Sequence, residues 1–235
     1  EGENDAVEDV GEEKVTLPDT GESKHGMFVP DLLVAHFQMP YEAPNVFKPK
    51  DDGEGGEVIF YLKPTQRLLD ELTGKIPTSP AARLFLRWCQ TCDTDRALRS
   101  RFKCMALVRN LKSHKLGWLD PYNGKPVLIT ESGSARRGTT SEGVKYLEMK
   151  SNVHKWAFVA KKGFVSLIPR FREMRIDVGF TVESTEESEM PECMLGAVGM
   201  NYIDESGFQT IGAEMQTPVK GAADGPKSGK NTMKN

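Results

Sequence analysis

The chain has 235 residues, 38% of them hydrophobic, and a net charge of −3. Residues 1–26 carry −7 and residues 211–235 carry +2, so the middle holds the +2 that completes the total. That balance lacks the clustered basic excess of a nucleic-acid binder, and no apolar run approaches the ~18 residues of a membrane span. The ends are poor in large apolar groups and cannot offset the entropy of ordering. They read as an acidic arm (1–26) and a basic tail (211–235) flanking one domain at 27–210. The chain starts with Glu, so a piece of a longer or processed protein is expected; with four cysteines in a chain large enough to fold without staples, a reduced, intracellular compartment is expected.

Leu32 to Met39 alternates between two faces and predicts a strand, broken by Pro40, Pro44 and Pro49. The Asp51-Asp52-Gly53-Glu54-Gly55-Gly56 run predicts a turn into a hairpin partner at Glu57–Lys63. A short helix follows at Gln66–Thr73, ended by Gly74. Ser79-Pro80 then opens a second helix, with Ser at the N-cap and Pro at the first helical position. Ala81, Leu84, Phe85 and Trp88 give that helix an apolar face as far as Gln90. A further turn covers Asp95–Ser100, and Phe102–Arg109 reads as a strand. Leu116–Leu119 and Pro126–Thr130 read as a hairpin around Asp120–Gly124. The small, polar residues Glu131–Glu142 predict a loop, and Val144–Lys150 a strand. Val153–Ile168 predicts a helix stopped near Pro169. In Met174–Glu183, Met174, Ile176, Val178, Phe180 and Val182 share one face, the pattern of a strand with one dry side. An acidic loop at Ser184–Glu192 and a strand at Leu195–Ile203 complete the set. The class is α+β: a curved antiparallel sheet packed around helices.

Four side-chain patterns bear on chemistry. Cys89 and Cys92 form a C-x-x-C at the end of a helix, where the dipole raises a thiol pKa; redox pairs sit at helix starts. Cys104, His114 and Cys193 are too scattered to complete a zinc site, so the cysteines read as small buried hydrophobes. Gly133–Gly138, with Arg136 and Arg137, reads either as an anion cradle or as a mobile hairpin tip. His25, His36, His114 and His154 have no partner at catalytic or metal spacing. No catalytic residue, metal or cofactor is expected.

The 153–168 helix draws the functional expectation. Val153, Trp156, Ala157, Ala160, Phe164, Leu167 and Ile168 share one side; Lys155, Lys161 and Lys162 lie elsewhere, among Phe158, Val159 and Val165. Such a helix lies in a membrane interface or packs on two sides with its lysines snorkelling, which the second apolar stripe also suits. Trp156, Ala160, Phe164 and Ile168 are expected to oppose Ile176, Val178 and Phe180, lining either a solid core or an apolar pocket. Lys155, Lys161, Lys162, Arg170, Arg172 and Arg175 are expected to meet anionic headgroups.

Five short motifs run in one order: Arg101-Phe102-Lys103, Gly124-Lys125-Pro126-Val127-Leu128, Lys145-Tyr146-Leu147-Glu148, Asp177-Val178-Gly179-Phe180-Thr181-Val182-Glu183 and Met190-Pro191-Glu192-Cys193-Met194-Leu195-Gly196. With Gln38-Met39-Pro40 and the Val58–Leu62 strand, this order resembles the C-terminal domain of the plant Enhanced Disease Resistance 2 proteins over about Leu32–Asp204. In those proteins the domain follows a pleckstrin homology domain and a START domain, and the proteins are linked to control of defence and cell death. The resemblance implies a non-enzymatic role near membranes and lipids. Where relatives tend to read Glu-x-Asp-x-Asp, this chain reads Glu148-Met149-Lys150-Ser151-Asn152, two acids fewer. The expected function is thus a lipid- or membrane-associated binding module at a peripheral, intracellular site, the alternative being a protein-interaction scaffold or structural subunit. The expected partner is a membrane lipid or a protein, not nucleic acid.

Overall fold

A computed structural model describes residues 27–43, 54–130 and 132–209. The acidic arm and the basic tail, with Pro44, Pro49 and the start of the Asp51–Gly56 turn, lie outside the described residues. The chain divides into two compact units, Glu1–Ile203 and Asp204–Asn235. In the second, the described residues include a 3-10 turn at Glu205–Gly207, where Asp204 accepts from the Ser206 N–H at 2.9 Å.

The first unit is α+β, as its sequence pattern requires. Its strands are β1 (Leu32–Pro40), β2 (Gly55–Leu62), β3 (Phe102–Val108), β4 (Pro126–Leu128), β5 (Gly133–Thr139), β6 (Lys145–Asn152), β7 (Arg175–Val182) and β8 (Met194–Asn201). They form two four-stranded sheets, ordered β2-β1-β6-β5 and β4-β3-β7-β8. The helices are α1 (Gln66–Leu72), α2 (Pro80–Thr91), α3 (Arg96–Arg99) and α4 (Phe158–Leu167).

Local chemistry explains the elements that the sequence announces. β1 and β2 pair as the expected antiparallel hairpin. Ser79 caps α2 by accepting the Ala82 N–H at 3.2 Å, while its own N–H and hydroxyl donate to Glu71. That double use ties α1 to the start of α2 and holds the Glu71 carboxyl below its usual range. Gly74 ends α1 with a positive φ of 73°.

Three expectations are corrected. Leu116–Leu119 is not a strand: Gly117–Leu119 is a 3-10 turn, and β4 pairs with β3, Cys104 opposite Val127. Glu131–Glu142 is not a loop, since its middle is β5, paired antiparallel with β6; Gly133–Gly138 is therefore neither an anion cradle nor a hairpin tip. The actual tip is Thr140–Val144, where Gly143 takes φ 86°. Finally, the helix does not begin at Val153. Val153–Lys155 is a 3-10 turn, Trp156 is extended (φ −70°, ψ 163°), and α4 starts at Phe158.

The sheets are also not wholly antiparallel. β1 runs parallel to β6, Ala35 beside Met149, a pairing closed by reciprocal bonds between Asp31 and Lys145. The inner faces of the two sheets meet through aromatic rings: Phe180 (β7) lies 5.9 Å from Phe37 (β1) and 5.2 Å from Phe60 (β2). Helix α2 adds Trp88, fully buried and stacked on Phe102 at 5.6 Å, which stacks on Phe180 at 5.9 Å. Sheet, sheet and α2 thus share one core.

Candidate functional site

Ile176, Val178 and Phe180 are buried on the inner face of β7, as the alternation requires. The helix they meet differs from the expected one. Phe180 reaches α2 through Phe102 and Trp88, so α2 holds the interior position expected for the 153–168 segment. Trp156 sits half-buried against this core, outside α4. Its indole N–H donates to the hydroxyls of Ser132 (3.0 Å) and Ser151 (3.2 Å), tying it to the β5–β6 end of one sheet. Phe164 is half-buried with its edge toward Phe171, 6.0 Å away; Ala160 and Ile168 are half-buried too. Leu167 and Phe171 rest on the core, so α4 and the turn after it lie along its margin.

That marginal position leaves the opening of α4 in solvent. Ala157, Phe158 and Val159 are consecutive exposed residues, Phe158 at 46% and Val159 at 52%. Lys155 and Lys162 are exposed and Lys161 half-buried. Ala157 provides no side-chain cap, and α4 has no acid in its first turn, so the positive end of the helix dipole lacks its usual local partner. From Val153 to Arg172 the chain has five Lys or Arg and no Asp or Glu. Arg170 donates to the Ser166 carbonyl at 2.8 Å and is half-buried, while Arg172 is exposed. Arg175 begins β7 on the face opposite Ile176, exposed, with its backbone N–H bonded to Asn110.

Tertiary structure adds a residue that sequence reasoning missed. At Gly163 a Cβ would lie 3.1 Å from Leu119 Cδ2 and 3.7 Å from Trp118 Cη2, so the missing side chain seats α4 on the 3-10 turn Gly117–Leu119. Trp118 remains 45% exposed there. Val159 precedes Gly163 by four residues and so shares its side of the helix. Trp118 therefore lies on the Val159 side of α4, while Phe158, about 140° around the helix from Gly163, faces another way. The signal in the sequence was the Gly-Trp-Leu triplet before Asp120-Pro121.

His25 lies outside the described residues, and Cys193 is exposed rather than buried as expected. His36 is buried between two acids: Nδ1 hydrogen-bonds Glu148 at 2.9 Å, while Nε2 lies 3.2 Å from Glu57 without making a hydrogen bond. The His36 hydrogen bond holds the Glu148 carboxyl below its usual range. Cys89 and Cys92 are both fully buried; burial raises the Cys89 thiol pKa and pushes Cys92 up to about 12, which disfavours the reactive thiolate. Among the described residues, no group of three or more His, Cys, Asp or Glu is placed to hold a metal. No described helix is long and apolar enough to cross a membrane.

Fold and surface together define an α+β domain with an exposed basic and aromatic helix end. The chain belongs to the family of the Protein ENHANCED DISEASE RESISTANCE 2 C-terminal domain, whose model matches residues 3–204. The match reaches into the acidic N-terminal segment as well as covering all eight strands. No curated protein and no solved structure matches the chain.

Proposed function

We propose that the domain is a non-enzymatic module that binds the surface of an anionic membrane through the start of α4 and the 117–119 turn. The observation that carries this reading is the exposure of Phe158 and Val159, each about half exposed, with Lys155 and Lys162 in a 153–172 stretch that has no acid; Trp118, also about half exposed, lies on the Val159 side, followed by the exposed Asp120. Aromatic and aliphatic groups gain by leaving water for the headgroup boundary. Lysines near an anionic surface add about 1 kcal/mol each. The same residues have no internal task that demands exposure, since the core is filled by α2 and the ring stack.

Sedimentation with phosphatidylcholine vesicles, with and without phosphatidylserine, tests the proposal. Binding is expected only with the anionic lipid and weakens as salt rises. Replacing Lys155 and Lys162 together by Gln removes about 2 kcal/mol of attraction, roughly thirtyfold in affinity. A protein that stays in the supernatant with both vesicle types ends this reading.

A further inference from the structure

We propose that β8 pairs with β8 of a second copy of the chain, antiparallel about a two-fold axis at Val198. This inference stands apart from the membrane reading and rests on the four sheet edges. β5 presents Arg136 and Arg137, β2 presents Glu57, and β4 is three residues long and starts with Pro126. Charge, shortness and proline are the usual protections of an open edge. β8, Met-Leu-Gly-Ala-Val-Gly-Met-Asn, has eight residues with no charge and no proline. Its one irregularity is the register shift opposite Phe180/Thr181; Gly196–Asn201 is regular.

The ladder shows which backbone groups face outward. Tyr202 N–H donates to the Met174 carbonyl at 2.8 Å, so in this antiparallel register the even-numbered residues of β8 bond to β7. Ala197, Gly199 and Asn201 therefore direct their N–H and C=O groups away from the sheet. Among the described residues no hydrogen bond reaches those groups, and all three residues are exposed. With the axis at Val198, Ala197 lies opposite Gly199 of the second copy. The two such pairs exchange four N–H···O bonds, and two four-stranded sheets become one of eight.

The composition favours a second copy over a foreign peptide. Identical uncharged strands meet without like-charge repulsion across the ladder. Gly196, Ala197 and Gly199 flank the axis with no bulky side chain, and the two Val198 side chains face each other across it as a close β-branched pair. A foreign peptide is read by side-chain pockets alternating along the edge, and Ala and Gly build none.

Sedimentation velocity of the full chain over a concentration series, joined to amide exchange by mass spectrometry, is the test. The expected result is a mass that doubles with concentration while the Gly196–Asn201 amides become protected. Ala197→Lys, at an exposed position, is expected to keep the fold and the single-chain mass; mixing it with Ala197→Glu restores the doubled mass through opposite charges across the axis. A single-chain mass at every concentration overturns the proposal. So does a dimer whose β8 amides exchange freely, or one that Ala197→Lys leaves intact.

Discussion

Replacing Arg101 by Met probes the most committed polar contact of the fold. Arg101 and Glu189 are both buried, at 8% and 5% exposure, and form an ion pair. Arg101 also donates to the Glu183 carbonyl, Nε at 2.7 Å, and Glu189 accepts the Thr185 N–H at 2.9 Å. Together they hold the 184–192 segment against the start of β3. Met keeps much of the arginine's bulk but leaves the Glu183 carbonyl without this donor and the buried Glu189 carboxylate with only the Thr185 N–H and the half-exposed Arg87. Breaking one side of a buried pair costs about 3–5 kcal/mol, and that loss is expected at pH 7. The Arg101 hydrogen bond, aided by Thr185 N–H and Arg87, lowers the Glu189 pKa from 4.5 to about 2. A depressed carboxyl contributes stability that is present above its unfolded pKa and lost as pH falls through the folded one. The window is therefore pH 4.5 down to about 2. Allowing for solvent at the half-exposed Arg87, the linkage is worth about 2 kcal/mol. Urea unfolding at pH 7 and in steps toward pH 2 reads both effects. The gap between parent and variant should narrow by about that amount in acid. A cost below about 1 kcal/mol at pH 7, the scale of an exposed pair, refutes the reasoning, as does a gap that acid leaves unchanged.

Trp156→Phe removes an indole N–H that serves Ser132 and Ser151. It should cost about 1 kcal/mol in unfolding free energy and leave vesicle affinity unchanged, which separates a structural tryptophan from a lipid-facing one. The exposed Cys193 should take up iodoacetamide in the native protein near neutral pH, while Cys89, Cys92 and Cys104, whose pKa values burial raises, stay unmodified. Intact mass should rise by one adduct when native and by four after denaturation, matching the four cysteines. Early native labelling of Cys89 or Cys92 contradicts the packing assigned to α2.

Local sequence signals specify structure where one physical rule dominates. Ser79-Pro80 specified the start of α2, and period-two alternation specified β1 and the dry face of β7. Where two rules conflict, long-range pairing decides. β5 has the Gly, Ser and Arg composition of a loop, yet β6 supplies a ladder for it, and its arginines suit an edge. Val153–Trp156 has helical spacing, but Asn152 caps a 3-10 turn there and the Ser132 and Ser151 hydroxyls take the indole. The basic residues around α4 were legible because a run without acids is a local property. The place of Trp118 was not, because the Gly-Trp-Leu triplet marks a turn but only tertiary packing seats that turn at Gly163. The parallel β1–β6 pair spans more than a hundred residues of chain, beyond any local pattern.

Site-directed nitroxide accessibility tests the membrane claim most directly. In a Cys193→Ser background, one label replaces Val159 and another replaces Tyr61, an exposed residue on β2. With phosphatidylserine-containing vesicles, the label at 159 should gain collisions with oxygen and lose them with a water-soluble nickel chelate, and the label at 61 should not change. No change at 159, or equal changes at both positions, contradicts the claim that α4 meets the bilayer.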